Sequence, residues 1–128
     1  MSQYTIKKIT EVEDSAPKFG LDSVGEARFA KDELDAQATG VSYLLLKPGK
    51  RQLFGHRHDA AEEIYVVLAG SGRVKLDEDI KDISRHDAIR VSPKVVRAFE
   101  AGSDGLEVLA VGARHDGDGE MIQDWWSD

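Results

Sequence analysis

The chain has 128 residues, no cysteine, four histidines and a formal net charge of -7. That length fits one domain able to bury most of its apolar surface without staples, and the absence of cysteine excludes disulfides and thiolate metal sites. The acidic balance argues against a nucleic-acid or anionic-membrane surface, since both need a basic patch.

The amino terminus lacks an apolar signal core, and no stretch approaches the roughly 18 apolar residues of a spanning helix, so a cytoplasmic location is expected. Residues 4–9 interleave β-branched and aromatic residues with lysines, the pattern of a protected edge strand. Residues 11–25 are polar, with Pro17, Gly20 and Gly25, and read as a loop. Residues 26–37 have helical propensity, but Phe29, Ala30 and Leu34 make only one turn-aligned stripe, which predicts a short strand through Phe29 followed by a helical turn. A strand over 41–47 is closed by Pro48-Gly49. Strands over 52–58, 63–69 and 72–76 follow, the last two joined by a Gly70-Ser71-Gly72 hairpin connection. The acidic segment 77–87 predicts a short exposed strand carrying Ile80 and Ile83. Three more strands, 88–92, 95–101 and 106–111, are separated by Pro93-Lys94 and Ser103-Asp104-Gly105. The segment from Gly112 is acidic and ends in Trp125-Trp126; termini fray unless docked, so these rings are expected to pack on the body of the protein or on a partner subunit. Short strands with frequent turns and no long helix indicate an all-β sandwich or barrel.

The chemistry concentrates in residues 49–70. His56 and His58 are two apart, so on a strand both imidazoles face the same way. Alternation puts Glu63, Tyr65 and Val67 on one face of the next strand, and pairing of the two strands would bring the carboxylate to the imidazoles. Two imidazoles and a carboxylate suit non-haem Fe(II) and also accept Zn, Mn, Ni or Cu. Phe54, Tyr65 and Phe99 are candidates for core and for pocket walls. His86 and His115 lie in acidic, turn-rich segments and read as surface, as do Arg51, Arg57 and Arg90; Arg90 shares strand parity with Ser92.

Gly49, His56-x-His58, Glu63 and Gly70 resemble the first conserved motif of the cupin superfamily, in which two histidines and a glutamate hold a metal inside a small antiparallel barrel. The resemblance covers about residues 41–111 of a single domain, with an arm over 1–40 and a tail over 112–128, and implies an antiparallel jelly-roll β-barrel. It places the metal between His56, His58 and Glu63; Glu62 is also allowed by the family spacing but reads as an outward, solvated residue. The second cupin motif aligns with residues 92–99, and Arg97 stands where the third metal-binding histidine belongs. Arginine offers no lone pair and is not a ligand. It would either pair bidentately with Glu63, filling the metal's place and leaving the site metal-free, or orient an anionic substrate beside a three-ligand centre. Two functions follow from the resemblance: a small-molecule-binding module or sensor with an altered metal site, and a metal-dependent enzyme, foremost a dioxygenase on a small organic acid or aromatic, with Arg97, Tyr65, Phe54 and Phe99 at the substrate. The resemblance also implies a homodimer.

Overall fold

The computed structural model describes residues 3–113 and 118–127. Eight strands form one antiparallel sheet curled into a jelly-roll barrel: β1 (Gly25–Phe29), β2 (Thr39–Leu46), β3 (Gly55–His58), β4 (Glu63–Leu76), β5 (Asp79–Ser84), β6 (Ala88–Val91), β7 (Arg97–Ala113) and β8 (Gly119–Ile122). Two 3-10 turns, Ile9–Glu11 and Ala16–Phe19, precede them, and no α-helix occurs among the described residues. None of those residues forms a helix long and apolar enough to cross a membrane.

β7 organises the barrel, because β2, β3 and β4 all pair with it. Its second half lies between β2 and the first half of β4, with Leu46↔Leu106 and Gly70↔Leu106 in register. Its first half pairs with the rest of β4, from Gly72↔Ala101 to Leu76↔Arg97, and reaches β3 through His56↔Arg97. Two hairpin strands expected at 63–69 and 72–76 are therefore one bent strand. The Gly70-Ser71-Gly72 segment does not reverse the chain, because β7 gives both halves of β4 a continuous partner across register shifts at Val67/Ala69 and Gly70/Gly72. The expected turn at Ser103-Asp104-Gly105 is likewise absorbed into β7 as the bulged side of this bend. Gly70 has φ +78°, and a Cβ there would meet the Gly105 carbonyl oxygen at 2.1 Å, so the bend needs a residue without a side chain.

Alternation along β4 and β7 turns Tyr65, Val67, Val74, Phe99, Leu106, Val108 and Ala110 inward, where with Leu46, Val91 and Ile83 they form the core. The expected strand at 4–9 is absent: Tyr4 and Ile6 are largely exposed, and the sheet edge beside β2 is taken by β1. The arm rejoins the barrel at Val12, which is buried, and through the isolated bridge Asp14↔Arg28. The strand through Phe29 forms as expected, and the Leu34 N–H donates to the Ala30 carbonyl (2.9 Å) in the turn that follows. The strand expected over 52–58 shortens to β3; ahead of it the chain still lies against β7 through the isolated bridge Arg51↔Glu100, with the Gln52 amide oxygen accepting from the Phe99 N–H (2.9 Å) and the Gln52 main-chain N–H donating to the Phe99 carbonyl (2.9 Å), and residues 53 and 54 bend between the two.

Both terminal tryptophans dock on the barrel. The Trp126 indole N–H donates to the Gln52 carbonyl (2.7 Å), and the Arg51 guanidinium lies 4.4 Å from that ring's centre. Lys75 Nζ lies 4.2 Å from the Trp125 ring centre and donates to the Trp125 carbonyl (2.6 Å). Upstream of them, β8 pairs with β3 from Gly55↔Ile122 to His58↔Gly119, a strand that the acidic composition of this segment concealed.

Candidate metal centre

Three side chains converge at one end of the barrel. β3 presents His56 and His58, and β4 opens on Glu63 with Tyr65 one alternation further in. β3 and β4 do not pair, so the carboxylate reaches the imidazoles across the barrel interior and not along a shared ladder as the sequence suggested. The loop between them is short, and the His58 N–H donates to the Pro93 carbonyl (2.8 Å), fixing the end of β3.

Glu63 Oε1 lies 3.5 Å from His56 Nε2 and 3.2 Å from His58 Nε2. One donor atom from each of the three residues falls within 4.8 Å of the other two. Two ligands bound about 2.1 Å from one ion lie about 3.0 Å apart at a right angle and about 3.4 Å apart at the tetrahedral angle. The two separations from Glu63, 3.5 and 3.2 Å, fall close to that spacing. Burial drives the Glu63 carboxyl upward, but hydrogen bonds from His56 and Tyr65 and the charge of both imidazoles outweigh it and lower the pKa to about 2. The carboxylate is therefore ionised at neutral pH. Both ring nitrogens of His58 are buried and lack a hydrogen bond, which leaves a lone pair to offer a cation. The donor set thus fits a divalent ion held by His56, His58 and Glu63.

The Tyr65 hydroxyl donates to Glu63 Oε1 (2.5 Å) and lies 3.3 Å from His56 Nε2. Burial, reinforced by the Glu63 charge, pushes the phenol well above its usual pKa, so it stays a proton donor. Its ring packs on Phe99 at 4.9 Å between centres, and Phe99 is itself 1% exposed within the core. Phe54 lines a cavity of about 70 Å³ together with Leu44, Leu46, Leu53, Gln52 and His56.

Arg97 has no exposed surface. Its Nη1 donates to the carbonyls of His56 and Pro93, both at 3.4 Å, and its Nη2 to the Ser92 carbonyl at 3.3 Å. The pairing with Glu63 is a single 3.9 Å contact and not a bidentate bridge, because the guanidinium is turned toward these main-chain oxygens. Arg97 therefore does not fill the space between the three donors, yet its charge balances Glu63 from behind.

Asp118 belongs to the site and was hidden in the sequence, where it is one acid in an acidic, glycine-bearing segment. Its carboxylate accepts the N–H groups of Asp59, Ala60 and Ala61 at 2.9, 2.9 and 3.0 Å, and Oδ2 lies 3.4 Å from His58 Nδ1. Burial raises its pKa, and the three main-chain donors together with His58 more than reverse that, leaving it below the ordinary aspartate value. Glu62 points outward as expected and meets Arg90 at 3.4 Å, while Arg90 also donates to Ser92 Oγ (3.0 Å). Arg57 is partly exposed and pairs with Glu120 at 3.0 Å. Arg51, read as solvated, instead binds Glu100 and stacks on Trp126, both partners being remote in sequence. His86 is exposed, and His115 lies outside the described residues.

A curled antiparallel barrel with a His-His-Glu cluster defines a double-stranded β-helix protein with a candidate metal centre. The chain belongs to the cupin family: the Cupin_2 family, a cupin domain, matches residues 42–112. Among solved structures, a cupin protein from Bacteroides fragilis is similar over 100% of this chain and 99% of its own, with 22% identity and a TM-score of 0.73. Oxalate decarboxylase from Bacillus subtilis is similar over 94% of this chain and 34% of its own, with 21% identity and a TM-score of 0.75. The polyketide cyclase RemF from Streptomyces resistomycificus covers 97% and 87%, with 15% identity and a TM-score of 0.75. At these identities the likeness is one of fold. An uncharacterised protein from Methanocaldococcus jannaschii is 34% identical over 55 residues, 42% of this chain, and the match spans 44% of that protein.

Proposed function

We propose that this chain is a small-molecule-binding cupin whose ligand is gathered at a divalent metal held by His56, His58 and Glu63. The observation that carries the reading is the convergence of the three donor atoms within 4.8 Å around a carboxylate that is ionised at neutral pH. Three protein ligands leave coordination positions open to a small molecule, as catalytic centres do and closed structural sites do not. Mn, Fe, Ni, Cu and Zn all suit two imidazoles and a carboxylate. Because Arg97 offsets the Glu63 charge, affinity for the cation is lower than in a site with a third neutral histidine, and an anionic ligand is favoured once the metal is bound. Calorimetric titration of chelator-stripped protein with Zn(II) or Mn(II) tests this: saturable 1:1 binding, weakened at least tenfold by His58→Ala, is expected. Equal binding by both proteins would remove the site.

One observation favours turnover as a second reading. The protonated Tyr65 hydroxyl lies against Glu63 and His56, where it can hand a proton to a molecule bound beside them. A two-histidine, one-carboxylate set is the arrangement of Fe(II) oxygenases, so a dioxygenase acting on a small organic acid or aromatic is the enzymatic form of the proposal. Oxygen uptake by the Fe(II)-loaded protein over a panel of such compounds, abolished in His56→Ala, would establish it, and no uptake across the panel favours the binding module. The fold does not choose between them, since similar barrels include a decarboxylase and a cyclase.

The outer face of the sheet supports a homodimer. Ile64 and Leu68 on β4 are 43% and 38% exposed, and Ile64 pairs with Val111, itself beside Val41 of β2, in one apolar strip.

A further inference from the structure

The strand that carries both imidazoles is held mainly by residues remote from it in sequence. β3 meets β7 at one ladder pair, His56↔Arg97, but meets β8 at four, from Gly55↔Ile122 to His58↔Gly119. Its other main-chain ties lie at its ends, in the Gln52 bonds to Phe99 and in the His58 N–H on the Pro93 carbonyl. Trp125 covers its outer face. A Cβ at Gly55 would come within 2.8 Å of that ring and of Val96 Cγ1, so the ring lies directly on the β3 backbone one residue before His56. Trp125 is fixed in turn by Lys75, whose Nζ lies 4.2 Å from the ring centre and donates to the Trp125 carbonyl (2.6 Å). Trp126 is tied to the Gln52 carbonyl (2.7 Å) just ahead of β3. At the other end of the same segment, Asp118 accepts the N–H groups of Asp59, Ala60 and Ala61 in the loop that leads to Glu63. Residues 118–126 thus reach the supports of all three donors and supply none of them.

An isolated strand pair is marginal in water, and a four-residue strand with one pair to its neighbour is weaker still. A binding site works at full strength only when its donors are held to within about 0.5 Å. We infer that residues 118–126, seated by Trp125, are the positioning element of the metal centre. Docked, they hold His56 and His58 against Glu63; released, they leave β3 free to shift. Docking and metal binding then strengthen one another by the same factor, because a coupling free energy is reciprocal. The effect on the metal rests on the metal reading above, whereas the hold on β3 does not.

Hydrogen exchange read by mass spectrometry, with Zn(II) as the only added ligand, tests both halves. The control is β5, which pairs with β4 alone. In the metal-free protein, Trp125→Ala should speed exchange of residues 55–58 and 119–122 together, at least tenfold, and leave β5 at its wild-type rate. Trp125→Phe, which trims the ring, gives the same comparison in milder form should the alanine variant not fold. In the wild type, Zn(II) at a hundred times its Kd should slow residues 119–122 by up to about 100-fold, again without altering β5. Zinc affinity should fall at least tenfold in Trp125→Ala with all three donors in place. A segment that serves stability alone would not respond to zinc. Wild-type exchange at 55–58 in the folded variants overturns the inference whatever the metal does, and so does zinc binding that leaves 119–122 unchanged or slows β5 equally. A protein that binds no zinc, yet loosens at 55–58 when Trp125 is trimmed, would sink the metal reading and leave the positioning intact.

Discussion

At the scale of single residues, the site is set by which groups are charged and which are left without partners. Arg97 is a buried cation whose acceptors are main-chain carbonyls, so shortening it to alanine should remove packing and leave those oxygens and Glu63 uncompensated. A loss of about 2–4 kcal/mol in urea denaturation is expected for Arg97→Ala, and a smaller one for Arg97→Met, which keeps most of the volume. Glu100 offers a pH prediction away from the metal centre. Burial raises its pKa, but the hydrogen bonds of Arg51 and Arg73 lower it by more. Because the folded value lies below the ordinary glutamate value of about 4.3, its stabilisation is complete above that pH and is lost as pH falls through the folded value. Glu100→Gln should therefore cost about 1–2 kcal/mol at pH 7 and progressively less below about pH 4, measured as the gap between the two urea midpoints. The histidine pair and Glu63 were legible in the sequence because spacing of two and strict alternation are local signals. Asp118 and the Arg51–Glu100 pair were not, because each depends on a partner about 50 residues or more away.

At the scale of elements, strand existence was legible and strand continuity was not. The glycines at 70, 72 and 105 read as turns because glycine commonly marks reversals, yet here they let two long paired strands bend together. Gly70→Ala should destabilise by about 2 kcal/mol or more, since it combines a left-handed φ with a backbone clash, and thermal denaturation would show it. The amino-terminal strand was misread for a related reason: alternation at residues 4–9 is a property of the segment, whereas joining a sheet needs a free edge, and β1 occupies it. At the other end, the docking of Trp125-Trp126 was foreseeable from two large rings at a terminus. Trp125→Ala should cost about 1–3 kcal/mol and speed hydrogen exchange at the Gly55 and Arg57 amides, which β8 covers.

At the scale of the whole molecule, the barrel class was legible from two separate arguments, the density of short strands and the motif resemblance, and the fold bears out both. What the sequence did not reveal is that the two motif-bearing strands face one another across the interior with β7 joining them. The apolar strip through Ile64, Leu68 and Val111 lies on the opposite side of this sheet from the centre. Light scattering should give twice the monomer mass, and Ile64→Glu combined with Leu68→Lys should return the monomer with metal affinity retained. A monomeric wild type at high concentration would remove the dimer from the account.

The central claim is that two histidines and Glu63 suffice to hold a metal with Arg97 behind them. Elemental analysis of protein purified without an affinity tag or chelator, beside Arg97→His, tests it most directly. Near-stoichiometric iron, manganese, zinc, nickel or copper in the unmodified protein, with tighter retention in Arg97→His, is the expected result. A metal-free native protein that gains metal only when Arg97 becomes histidine would contradict it.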